Sequence, residues 1–173
     1  MSRSVWSESL TSFSDAVAAT RPAPAGVAAA AVAANLGLSL LIKTLAITGG
    51  HGDFLDAAHL EAAHLRGAAD DDIGAVMEVM RARDATAMRA AIETPLRAAR
   101  AAVAGLELAA KASVKPSLAA DLKAAQALLA GALRAILVCI DANLKGREAD
   151  HRDAVAERQL IEERARRSGI YSL

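Results

Sequence analysis

The sequence predicts an all-α fold, a single-domain bundle of about five to six long alanine-rich helices that pairs with a second copy of itself. Three observations predict it. Hydrophobic residues fill 54% of the chain while aromatic residues supply 2%, so the apolar content is small and aliphatic. Alanine makes up roughly a quarter of the chain against a usual share nearer a tenth, and it is the strongest helix former because it loses no side-chain entropy and crowds nothing. A sheet protein would draw on Val, Ile, Thr and aromatics instead. The length of 173 residues suits one domain with a real core. Because alanine buries little area, that core must gain stability from close backbone approach, near the short end of the roughly 8–10 Å range of helix packing.

The elements follow in order. Ser9 caps a first helix from Leu10 to about Ala19, ended by the Arg21-Pro22-Ala23-Pro24 stretch. Gly26 to Thr48 reads as a central buried helix, apolar nearly all round; it is long enough to span a bilayer, but Asn35, Ser39 and Lys43 interrupt it and no basic flank orients it. Three glycines break the chain at 49–52. Leu55 to Arg66 and Asp71 to Ile92 read as two helices separated near Gly67, with the Asp70-Asp71-Asp72 run at the second N-terminus, where carboxylates meet free N–H groups. Pro95 suits the first turn of a helix running to Ala112. Ser117 caps the next, Leu118 to about Leu144. The last, from about Glu148 to Ser168, carries the i,i+4 pairs Glu148–Arg152, Arg158–Glu162, Glu162–Arg166 and Glu163–Arg167. With Val155 and Ile161 as its thin apolar contact, it is an outer helix, stopped by Gly169.

Twenty basic and twenty acidic residues give a formal charge of +0, so no electrostatic footprint for nucleic acid or an anionic membrane exists at whole-chain level. One cysteine, Cys139, excludes a disulfide framework and a multi-cysteine metal site; on an apolar helix it reads as a buried structural thiol. His59 and His64, five apart on a helix, diverge, so no metal site is expected. Met1–Leu10 has no apolar run of the signal-peptide kind, which makes the cytoplasm the expected compartment. Asp121 lies in the first turn after Ser117, where the helix dipole alone explains a carboxylate, and capping explains Asp141 and Asn143 at the far end.

Several ordered segments carry a resemblance. Pro22-Ala23-Pro24-Ala25-Gly26-Val27-Ala28-Ala29-Ala30 stands in the place of a Pro-Thr-Pro-Gly-Gly-Gly-Ser-Ala-Ala motif. Asp72-Ile73-Gly74-Ala75-Val76-Met77-Glu78-Val79-Met80 resembles an Asp-Ala-x-Ala-Phe-x-x-Val-Met segment. Pro95-Leu96 followed by Gly105-Leu106-Glu107-Leu108, then Ala120-Asp121, then Ala132-Leu133-Arg134-Ala135 ending in Asn143-Leu144, complete the series. Together they resemble the cyclodeaminase/cyclohydrolase family, whose members include the C-terminal domain of formiminotransferase-cyclodeaminase and methenyltetrahydrofolate cyclohydrolases. The resemblance implies an all-helical homodimer that binds a tetrahydrofolate derivative in a cleft near the subunit interface, with no permanently bound cofactor. It implies hydration of a methenyl bridge or loss of ammonia from a formimino group, with Asp72 and Asp121 as the catalytic carboxylates. Gly26, Asn143, His51 and Phe54 are the implied substrate contacts. Only Gly26 remains of the Gly-Gly-Gly-Ser motif, and Gly50-His51-Gly52-Asp53-Phe54 replaces a Gly-Lys-Lys-Lys-Tyr segment. These losses motivate the alternative, a catalytically degenerate helical dimer serving as scaffold or accessory subunit.

Overall fold

The structure is a computed structural model and describes residues 4–171. Its helices are α1 (Leu10–Ala18), α2 (Gly26–Thr48), α3 (Gly52–Ala82), α4 (Ala85–Lys111), α5 (Ala119–Leu144) and α6 (Arg152–Arg167), with no strand among the described residues. Helices α2 to α5 form an up-down-up-down four-helix bundle. Lys43 meets Asp121 at one end of the α2–α5 pair and Gly26 meets Cys139 at the other, so these two run antiparallel. Asn35 bonds Ala62 across α2–α3, and Gln126 bonds Ala109 across α4–α5. The core between them is leucine and isoleucine set among alanines: Leu38, Leu41, Leu65, Leu106, Leu133 and Ile136 are fully buried.

Glycines set the helix spacing where the packing is tightest. A Cβ on Gly37 of α2 would stand 3.1 Å from the backbone oxygen of Ala125 and 3.0 Å from Leu129 on α5. One on Gly105 would meet Leu38 at 2.8 Å. The expected close backbone approach is thus realised between α2 and α5 at Gly37, while Gly105 of α4 makes room for the Leu38 side chain. Helices α2 and α5 are each long and apolar enough to cross a membrane by length and composition, yet 50% and 44% of those apolar windows are buried within the bundle.

Several helix boundaries differ from the sequence reading. Gly67 does not interrupt the helix: α3 runs unbroken through it, because a helical glycine costs only about 1 kcal/mol and the flanking Leu65, Ala68 and Ala69 are buried. The break falls instead at Arg83-Asp84, where Arg83 takes a left-handed φ of 53° and the Asp84 carboxylate accepts the Ala87 N–H at 2.8 Å. Pro95 likewise does not start a helix but lies inside α4. A proline there removes the N–H that would bond the carbonyl four residues earlier, Ala91. The Asn143 side chain on α5 supplies the missing donor, bonding Ala91 O at 2.8 Å.

The Asp70–Asp72 run also changes role. It sits mid-helix and fans out to three neighbours: Asp70 accepts from Ser4 and the Val5 N–H, Asp71 pairs with Arg97, and Asp72 turns inward. Helix α6 is the outer helix expected, with Ile161 and Ala165 buried and three of the four anticipated i,i+4 pairs formed; Glu148 lies outside the helix, so its pair with Arg152 is absent. Two further pairs, Arg100–Glu157 and Arg164–Glu107, both two-pronged, dock α6 parallel to α4.

Gly37→Ala is expected to lower stability by about 1–2 kcal/mol in urea unfolding, since the backbone oxygen facing it cannot yield. Gly67→Ala, with no atom within 4 Å of its Cβ, gains about 0.5–1 kcal/mol. Equal effects from the two would refute packing as the reason for Gly37.

Candidate functional site

One candidate corner forms where α2 begins. Ala25 caps that helix with no side chain, leaving its first N–H groups open. Asp72 fills the gap from α3: its carboxylate accepts the Ala28 N–H at 3.2 Å while the residue is only 3% exposed. Burial raises its pKa from 3.8 to about 6, outweighing the opposing pull of the Ala28 hydrogen bond. Cys139 on α5 stands against the same corner, its Sγ 2.9 Å from where a Gly26 Cβ would lie. Burial and the neighbouring Asp72 charge push its thiol pKa up, so it is not an activated nucleophile. A Cβ at position 26 would therefore require the Cys139 side chain to shift. Beside the corner, between α1 and the start of α2, opens a cleft of about 580 Å³ lined by Ser9, Ser12, Phe13, Arg21, Pro24 and Ile73.

Asn143 belongs to the same end of the bundle, one turn past Cys139, where its amide NH₂ is committed to Ala91 O rather than to a helix cap. Asp141, also read as a cap, forms a two-pronged pair with Arg158.

The other expected residues lie at the opposite end. Asp121, in the first turn of α5, accepts from Lys43 Nζ at 2.7 Å and is partly exposed. His51 and Phe54, at the start of α3, sit edge to face with ring centroids 6.0 Å apart. Lys115 closes this end by donating to Ile47 O at the end of α2. Between Ala28 and Lys43 α2 rises about 22 Å, so one chain does not bring Asp72 and Asp121 into a shared pocket. In the sequence Lys43 reads only as an interruption of an apolar helix, and that interruption is the signal of a partner for Asp121. Nothing local in the sequence marks Cys139 as a neighbour of Asp72.

A family comparison decides among the many uses of a four-helix bundle. The sequence pattern described as formiminotransferase-cyclodeaminase matches residues 9–162, nearly the whole chain. The chain belongs to that family. No curated protein matches it in sequence. Among solved structures it is similar to the crystal structure of formiminotetrahydrofolate cyclodeaminase from Thermotoga maritima, with a TM-score of 0.84 and 24% identity over 97% of this chain and 94% of that one. The cyclodeaminase fold is therefore retained across both ends of the bundle just described, while the identity is low enough that side-chain chemistry must be argued from this chain's own residues.

Asp72→Asn keeps an acceptor for Ala28 and removes the buried charge. A raised folded-state pKa favours folding below the unfolded value near 4, and that advantage is lost as pH climbs through 6. The variant should therefore match the wild type near pH 4 and exceed it by about 2–3 kcal/mol above pH 7, measured by urea unfolding across that range. A pH-independent difference would contradict the burial argument. Asn143→Ala strands the Ala91 carbonyl and should cost about 1–3 kcal/mol, with the loss largely relieved in an Asn143→Ala/Pro95→Ala double variant.

Proposed function

We propose that this chain acts in the cytoplasm, as a homodimer, on reduced folates carrying a one-carbon unit, with hydration of a methenyl bridge ahead of ammonia release from a formimino group. The observation that carries the reading is Asp72, a buried carboxyl with a pKa near 6 at the helix start of a cyclodeaminase-family fold. Both reactions centre on an electron-poor carbon between two nitrogens. In hydration, water's oxygen bonds to that carbon, a base takes its proton, and one C–N bond opens as an acid returns a proton to the departing ring nitrogen. In ammonia release the ring nitrogen attacks and a protonated amine leaves. A carboxyl that titrates near 6 is divided between its acid and base forms close to neutral pH, as either sequence of proton transfers requires.

The dimer reconciles the two distant aspartates. Helices α2 and α5 are apolar on their outer faces as well as their inner ones: Leu36 is 51%, Leu128 37% and Val138 67% exposed, with Ala33, Gly131 and Ala135 only partly buried or exposed. Lys123 and Arg134 mark its charged edge. A contiguous apolar face of this kind supports a protein interface. A second copy packed there about a two-fold axis normal to the helices would set the Gly26 end of one protomer against the far end of its partner. Asp72 and Gly26 of one chain would then face Asp121 of the partner subunit and Lys43 of the partner subunit.

The alternative of a degenerate scaffold or accessory subunit is favoured by the corner itself. Val27 and Ala28 fill space that glycines would leave open, and both are buried.

Subunit mixing separates these readings. Asp72→Asn and Asp121→Ala, each inactive alone in an absorbance assay of methenyl-tetrahydrofolate hydration, should recover roughly a quarter of wild-type activity when refolded together, because half the dimers are mixed and each mixed dimer holds one intact site. No recovery from two folded variants would sink the composite site. A wild type that neither turns over nor binds any reduced folate would leave the scaffold.

A further inference from the structure

The start of the chain makes an excursion from α3 whose two ends are pinned close together on that helix. On entry, Asp70 accepts from the Ser4 hydroxyl at 2.7 Å and the Val5 N–H at 2.9 Å, and the Trp6 indole donates to Arg66 O at 3.1 Å. On exit, Asp72 accepts from the Ala28 N–H. Between these pins lie α1 and the connection that leads into α2. Among the described residues, the stretch from Ser9 to Pro24 bonds only within itself, through contacts such as Ser9 with Ser12 and Ala19 with Ala16.

One side chain holds this stretch down. Phe13 is the single residue of α1 that joins the core. Leu10 is 73% and Val17 38% exposed, so the other large apolar groups of α1 stay in water. Beneath Ser9, Ser12 and Ala16 lies the 580 Å³ cleft rather than packed side chains. A helix of nine residues is too short to persist alone in water, where about 12–15 are needed even in alanine-rich sequences. Segments with so few buried contacts open locally at much lower free energy than the whole fold.

The cleft also touches Ile73, next to Asp72, and Pro24, just before α2. On its other sides the Asp72 corner is closed by Ala28 of α2 and Cys139 of α5. We propose that Ser9–Pro24 is a lid over the Asp72 corner, latched by Phe13 and moving between fixed points at Val5 and Ala28. Open, it admits a small molecule to the buried carboxyl; closed, it keeps bulk water out. The lid rests on the reading above only for which molecule it admits.

Residue-resolved amide exchange of the full chain tests it without ligand. The Ala28 N–H reports on the corner, since it has no partner within its own helix. Amides of α1 should exchange at least tenfold faster than those in the middle of α2 to α5. Phe13→Ala should speed both α1 and Ala28 by about tenfold or more while mid-bundle amides hold their rates. Phe13→Leu, which keeps an apolar latch, should restore both. If α1 exchanges at the rate of the bundle, or all helices quicken equally in Phe13→Ala, the lid is overturned, because α1 is then part of one cooperative unit. A faster α1 with Ala28 unmoved overturns it too, since the helix then frays without uncovering the corner. Addition of 5-formyl-tetrahydrofolate, with binding read by calorimetry, should slow α1 and Ala28 together; a folate that binds and leaves both unchanged sinks the lid. Failure of that folate to bind counts against the proposed substrate, and the ligand-free rates still decide the lid.

Discussion

The close contact of α2 with α5 is the constraint on which the rest depends. An alanine-rich helix brings little apolar area to an interface, so its stabilisation comes from many atoms at van der Waals distance rather than from a few large side chains. That requires backbone to meet backbone, and Gly37 against Ala125 O is where it does. Once this spacing is set, Leu38, Leu129 and Leu133 fill what remains, and α3 and α4 close the other sides. The same spacing leaves the outer faces of α2 and α5 flush and apolar, which is what a second copy would need.

Several polar groups in this fold are satisfied by a neighbouring helix. The start of α2 is capped by α3, a carbonyl of α4 by α5, and α6 is held to α4 by paired charges. Each of these bonds joins residues far apart in sequence, and each fixes the register of one helix against the next. Buried polar contacts of this sort contribute specificity, since sliding a helix by one turn would leave all of them unmet.

This explains what could be read from the sequence. The helices themselves were legible, because alanine content and periodicity are local properties. So were the Ser9 cap, the outer character of α6 and the family. The boundaries near Gly67, Asp84 and Pro95 were not: burial of its neighbours carried α3 through a glycine, the break came instead at Arg83-Asp84 where Asp84 caps α4, and Asn143 carried α4 through a proline. The aspartate run shows the same effect. Three identical residues in a row look like one feature, yet helical geometry turns them about 100° apart and sends them to three different elements. Asp121 and Asp72 could be named from the resemblance, but their separation along α2 was visible only once the antiparallel course of the bundle was known.

The bond from Asn143 to Ala91 has a consequence for how such chains diverge. Pro95 leaves a need in one helix that a side chain on another meets, so the two positions are bound into a single inherited unit. Where a relative regains an amide at the first position, the second is released to drift or to take up new chemistry; where the proline stays, the asparagine is held whether or not any ligand ever touches it. Persistence of that asparagine across a lineage is thus a record of the backbone's need before it is a record of catalysis.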